Sequence, residues 1–124
     1  MILTGDFCKV TEWLAHENRW TAQLHWNEGH AIFAGHFPGQ PVVPGVCMIQ
    51  MVQEVLELAF GSRLQLVSSG SIKFLQFIDP RVHAQTGMEI KLVKEEAGMY
   101  TISAQISQES IVFFKFNAVY QSAE

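Results

Sequence analysis

Apolar and polar residues alternate along most of this chain, and the alternation predicts strands. In "WTAQLHW", Trp20, Ala22, Leu24 and Trp26 fall on one side and Thr21, Gln23 and His25 on the other, the period of a half-buried strand. An earlier strand is predicted over Phe7 to Ala15, turning back through "HENR". The second half reads as four more: "LQLVSSGSIKFLQFI" (Leu64 to Ile78), with Gly70 marking a bend or bulge, then "MEIKLVKE", "MYTISAQIS" and "SIVFFKFNAVY". "EEAG" at Glu95 to Gly98 and "QES" at Gln108 to Ser110 read as hairpin turns.

One segment breaks this period. Gly45 to Phe60, "GVCMIQMVQEVLELAF", is long and rich in helix formers, and its only polar residues are Gln50, Gln53, Glu54 and Glu57, which make one narrow stripe at 3.6 residues per turn. A helix so apolar is expected to be wrapped by sheet on most sides. The fold class predicted is therefore α+β, a long antiparallel sheet curled around a central helix.

Length and composition narrow the picture. The 124 residues fit a single domain over 1–124. With 48% hydrophobic and only 16% charged residues, the chain is core-rich for its size, and a subunit interface is the simplest destination for the surplus. A formal charge of −4 gives no basic face for nucleic acid. No run approaches the about 20 apolar residues of a membrane span, and "MILTGDFCKV" lacks the character of a signal peptide, so a cytoplasmic protein is expected. In that compartment Cys8 and Cys47 are expected to stay unpaired.

The chemistry concentrates in "GHFPGQPVVPGVCMIQ", Gly35 to Gln50. Pro44 suits a helix entry, Pro38 and Pro41 stiffen the approach, and Gly35, Gly39 and Gly45 allow tight turns and close backbone approach. A glycine at a helix start leaves its amide open at the positive end of the helix, where an oxygen that gains charge during a reaction is stabilised. His36, nine residues before Gly45, can fold back toward that amide. Residue physics alone leaves two roles open for it: a loop histidine bonded to a nearby carbonyl, or a base facing an oxyanion site.

The run "GHFPGQPVVPGV" resembles the signature of the β-hydroxyacyl-acyl carrier protein dehydratases, and "SIKFLQFIDP" resembles the strand that follows the helix in that family. The resemblance implies the hotdog fold and a site completed across a dimer. It implies that His36 takes the proton next to a thioester carbonyl, and that the Gly45 N–H holds the carbonyl oxygen. Phe37, Val46 and Glu54 are expected to join Gly45 in binding substrate. The family's acidic residue, five positions past the glycine, is here Gln50, which donates a hydrogen bond but supplies no proton near neutral pH. Gln50 is expected to orient the hydroxyl or a water, and Glu54, one turn on, is read either as a substitute acid or as the partner of Gln50 in a buried polar pair inside the helix stripe.

The expected activity is therefore dehydration of a 3-hydroxyacyl thioester carried on acyl carrier protein or on coenzyme A. No metal or redox cofactor is expected, because the thioester itself acidifies the neighbouring C–H. Gln50 keeps two alternatives open: a thioesterase, and a non-catalytic acyl-binding subunit. Cys47, in the first helical turn, is read as packing rather than as a nucleophile. His30 and His36 lack the further ligands a metal would need, and His16, His25 and His83 are read as turn or strand-surface residues. Phe113, Phe114 and Phe116 are assigned to sheet packing, with an acyl tunnel as the alternative, while Arg63, Lys73 and Arg81 are candidates to meet an acidic carrier protein or its phosphate.

Overall fold

The computed structural model describes residues 2–35 and 39–123. In chain order the elements are β1 (Cys8–His16), β2 (Arg19–Trp26), α1 (Ala31–Gly35), α2 (Gly45–Phe60), β3 (Leu64–Phe74), β4 (Gln85–Glu96), β5 (Met99–Gln108) and β6 (Ile111–Ser122). The strands make one antiparallel sheet in the order β1-β2-β4-β5-β6-β3. This is the α+β architecture the alternation predicts. The β4–β5 hairpin turns through Ala97 and Gly98, both at positive φ (55° and 79°), a backbone whose twist matches the flanking strands.

The sheet divides its side chains by face. Leu24, Trp26, Met88, Ile90, Ile102, Ala104, Ile106, Phe114, Phe116, Ala118 and Tyr120 are buried against Met48, Met51, Val52, Val55 and Leu56 of α2. The opposite face carries Glu89, Lys91, Ser103, Gln105, Lys115 and Asn117. Burial of a large apolar side chain contributes about 1.5–3 kcal/mol, so the seam between α2 and the sheet dominates the stability of the fold. Aromatic rings close both ends: Trp20 and Tyr100 pack on Phe60 (centroids 5.5 and 4.7 Å), and Trp26 and Phe33 pack on Phe7 (5.7 and 5.1 Å). α2 ends in Gly61, at φ 67°, whose N–H donates to the Glu57 carbonyl at 2.9 Å.

Helix α2 is largely covered, as its composition predicts, with Val46 and Leu58 exposed (72% and 59%). Two features depart from the sequence reading. The strand predicted to run to Ile78 ends at Phe74, because Leu75 and Gln76 both donate their N–H to the single carbonyl of Phe113 (2.8 and 3.3 Å) and the ladder stops there. Phe113 itself lies in a bulge, where the β5–β6 register shifts between Ile106 and Ser107. The short helix α1 was not foreseen. Gly70 sits at a register shift between Ser69 and Ser71, the irregularity its position predicts.

Candidate active site

The start of α2 is built to leave an amide open. Pro44, extended at φ −61° and ψ 144°, is the N-cap and has no side chain with which to cap. Its carbonyl accepts the N–H of Cys47 and Met48 (3.0 and 3.2 Å). The N–H of Gly45 has no acceptor among the described residues. It points from the positive end of a 16-residue helix, where partial charge favours an anionic oxygen. Glycine also lets Phe74 close on the helix start: a Cβ here would lie 2.7 and 2.8 Å from its Cζ and Cε1, so a larger residue would displace the ring.

Phe74 stacks on Phe114 (5.3 Å between centroids, 26° between planes) and forms one wall of a groove of about 730 Å³. Val42, Val43, Pro44, Gly45, Met48, Leu75, Gln76 and Phe77 line the rest. The volume lies within the range of small-molecule sites, and the lining is apolar apart from Gln76 and the backbone, which suits an acyl chain whose carbonyl meets the Gly45 amide. The Val43 N–H donates to the Ile78 carbonyl at 2.9 Å, tying the segment before α2 to the segment after β3. The sequence reading missed Phe74 to Phe77 as groove residues because "FLQFI" carries the apolar signature of a continuing strand.

Gln50 and Glu54 form a pair one helical turn apart. Glu54 is 8% exposed, and its carboxylate is crowded with donors. Oε1 accepts the N–H of Leu3 (3.0 Å), the N–H of Thr4 (2.8 Å) and the Thr4 hydroxyl (2.6 Å), while Oε2 accepts the N–H of Leu3 (2.8 Å) and Nε2 of Gln50 (2.9 Å). Burial by itself raises the Glu54 pKa, but the hydrogen bonds from Thr4, Gln50 and Leu3 together outweigh it and hold the group below its ordinary value. Glu54 is therefore an ionised clamp on the N-terminal segment, without a proton to give, rather than a substitute acid. The pair also fixes Gln50, since only the NH2 end of an amide donates to a carboxylate.

His36 and Phe37 lie outside the described residues. Val46 follows Gly45 in the first turn of α2 and is exposed. Cys47 is buried, and burial raises its pKa, which marks a packed thiol rather than a nucleophile; Cys8 is likewise buried and free, its pKa pushed up to about 12 chiefly by burial. His25 Nε2 lies 2.7 Å from the Thr11 hydroxyl, and His83 packs its ring on Phe113 at 5.0 Å. Phe113, Phe114 and Phe116 are all buried in the core, as their alternation predicts. Arg63, Lys73 and Arg81 do not converge. Lys73 belongs to the polar sheet face, Arg63 lies beside Ile2 and Glu57, and Arg81 pairs with Asp79 at 2.9 Å.

Comparison with known proteins bears on the whole arrangement. Residues 12–115 match the model of the ApeI-like family, described as ApeI dehydratase. Over 89 residues the chain is 37% identical to the 3-hydroxyacyl-[acyl-carrier-protein] dehydratase FabZ of Yersinia enterocolitica, covering 64% of this chain and 52% of that protein. The Yersinia pestis protein of the same name is also 37% identical, with 50% of it covered, so the chain spans about half the length of the curated relatives it matches. Among solved structures, the dehydratase heterocomplex ApeI:P from Xenorhabdus doucetiae superposes with a TM-score of 0.73 at 19% identity, covering 92% of this chain and 97% of that one. A putative thioesterase, yhdA from Lactococcus lactis, superposes with a TM-score of 0.68 at 12% identity, covering 93% and 94%. At these identities the two structures share the fold alone with this chain.

Proposed function

The chain belongs to the ApeI-like dehydratase family, and from that premise we propose that it removes water from a 3-hydroxyacyl thioester to give the 2-enoyl thioester. The observation that carries this reading is the Gly45 N–H, open at the head of α2 and facing an apolar groove. The thioester oxygen accepts that N–H, and His36 takes the proton from the adjacent carbon. The electron pair of that C–H bond forms the double bond, and the β-hydroxyl leaves. The leaving oxygen needs a proton, and neither member of the helical pair has one to give: Gln50 is an amide, and Glu54 is held ionised. The imidazolium formed in the first step is then the donor, so one histidine carries the proton from carbon to oxygen while Gln50 orients the hydroxyl. No metal or redox cofactor enters this scheme.

We place the protein in the cytoplasm, with acyl carrier protein as the carrier of the substrate. Among the described residues, no helix is long and apolar enough to cross a membrane. The relatives named 3-hydroxyacyl-[acyl-carrier-protein] dehydratase support the carrier assignment. The decisive assay supplies a 3-hydroxyacyl thioester and follows enoyl formation and free thiol in parallel. Enoyl product without thiol is the expected result; His36-dependent thiol release without enoyl would replace the dehydratase with a thioesterase.

The working unit is proposed to be a homodimer. Among the described residues β3 pairs only with β6, which leaves its other edge open. Leu66, Val67, Ile72 and Phe74 on it are exposed, together with Leu75, Phe77 and nearby Val46. A long apolar edge is an aggregation hazard unless something covers it, and a second copy does so with self-complementary geometry. Sedimentation over a wide concentration range should show twice the single-chain mass, and Ile72→Lys should shift the distribution toward single chains. A wild type that sediments only as a single chain would sink the dimer and the composite site.

A further inference from the structure

His30 stands immediately before α1 and caps it. Its ring Nδ1 accepts the backbone N–H of Ile32 at 3.0 Å, and its carbonyl accepts that of Phe33 at 3.1 Å. On the other side of the ring, Nε2 lies 3.1 Å from Oδ2 of Asp6. An acceptor at Nδ1 and a donor at Nε2 describe one form of the side chain, the neutral tautomer with its proton on Nε2.

The ring is fixed from several directions. Phe7 meets it edge-on at 5.3 Å and 83°, and Phe7 in turn stacks on Phe33 at 5.1 Å and 25°. Asn27 accepts the His30 N–H at 3.0 Å through its carbonyl, while its side chain donates to the Asp6 carbonyl at 2.9 Å. The start of α1 is thus tied to the N-terminal segment, the same segment that Glu54 ties to α2.

Helix α1 has five residues, far too few to hold a helix on their own, so its place depends on this cap and on Phe33 beneath it. It ends at Gly35, and the next residue in the chain is His36. We propose that His30 is a positioning residue: as the N-cap of α1, oriented by Asp6, it sets the direction in which the chain delivers His36. The inference rests on the reading of His36 as the base.

The test is a pair of substitutions read by kinetics, with a spectroscopic control that needs no turnover. His30→Ala should lower kcat about fivefold, which at about 1.4 kcal/mol per tenfold is about 1 kcal/mol, the size of a lost N-cap, and should leave KM within about twofold. His30→Asn should restore most of the rate, because asparagine is among the best caps. Loss of stability alone would also lower apparent kcat at unchanged KM, so each rate is referred to the folded fraction measured by circular dichroism on the same sample, and a loss that disappears on that correction would overturn the proposal. Wild-type kcat in His30→Ala, or a His30→Asn as slow as His30→Ala, would overturn the proposal. Imidazole nitrogen–proton correlation spectra of the wild type should show His30 protonated on Nε2 alone, and a proton on Nδ1 would overturn the cap even in a protein with no dehydratase activity. If the tautomer is as expected but the wild type dehydrates nothing, the reading of His36 falls, and His30 is left with no base to position.

Discussion

His36→Ala should lower the dehydration rate by about 10²–10⁴-fold, the usual contribution of a positioned general base. In the proposed reaction this loss should fall toward the upper end, because the same imidazole removes the proton from carbon and returns it to oxygen. Glu54, spent on Leu3, Thr4 and Gln50, has no proton to offer in its place. Wild-type kcat/KM should rise with pH along a single limb, since one group must be unprotonated, and that limb should vanish in the variant. The thermal midpoint should move by only a few degrees, because stability rests on the seam between α2 and the sheet. A variant that keeps more than a tenth of the wild-type kcat would remove His36 from the chemistry, whatever became of its stability.

How far the sequence carried the fold depended on which signal each segment obeyed. β5 and β6 were legible because Ile102, Ala104, Ile106, Phe114, Phe116, Ala118 and Tyr120 alternate with polar partners, and all seven are buried. Helix α2 was legible to its first and last residues, since Gly45 and Phe60 bound an apolar run too long for a strand. Helix α1 was not, because five residues held by a histidine cap and one buried phenylalanine carry no periodicity. The end of β3 was hidden for a different reason: a bulge on the neighbouring strand ends the pairing, and nothing in "FLQFI" records it. At the site, the glycine after Pro44 announced an open amide. The Gln50–Glu54 pair was legible in the polar stripe, but the rest of the fate of Glu54 was not, because its other partners lie 50 and 51 residues away at the N-terminus and are mostly backbone N–H groups, which any sequence supplies.

That fate changes what is expected of Gln50→Glu. The new carboxyl would occupy the place of the amide whose Nε2 now lies 2.9 Å from Oε2 of Glu54. Two carboxylates at that distance cannot both ionise and share one proton. Leu3 and Thr4 hold Glu54 in its charged form, so the proton resides on the residue at position 50, with its pKa raised. The change is nearly isosteric, and it places a proton donor one and a half turns from Gly45. Dehydration by Gln50→Glu should therefore match or exceed the wild type at and below neutral pH. As pH rises and the shared proton is lost, a descending limb absent from the wild type should appear. Stability should follow the same sign: a folded pKa raised above the unfolded value stabilises fully below the ordinary glutamate range of about 4.3 and is lost as pH climbs through the raised value. The double variant Gln50→Glu, Glu54→Gln removes the repulsion and should move the descending limb to lower pH. In exchange it leaves the three donors of Leu3 and Thr4 with a neutral acceptor in place of a charged one, at a cost of about 1–3 kcal/mol. If both variants were slower than the wild type at every pH, Gln50 would not face the hydroxyl, and the side chain at that position would serve only to complete the clamp with Glu54.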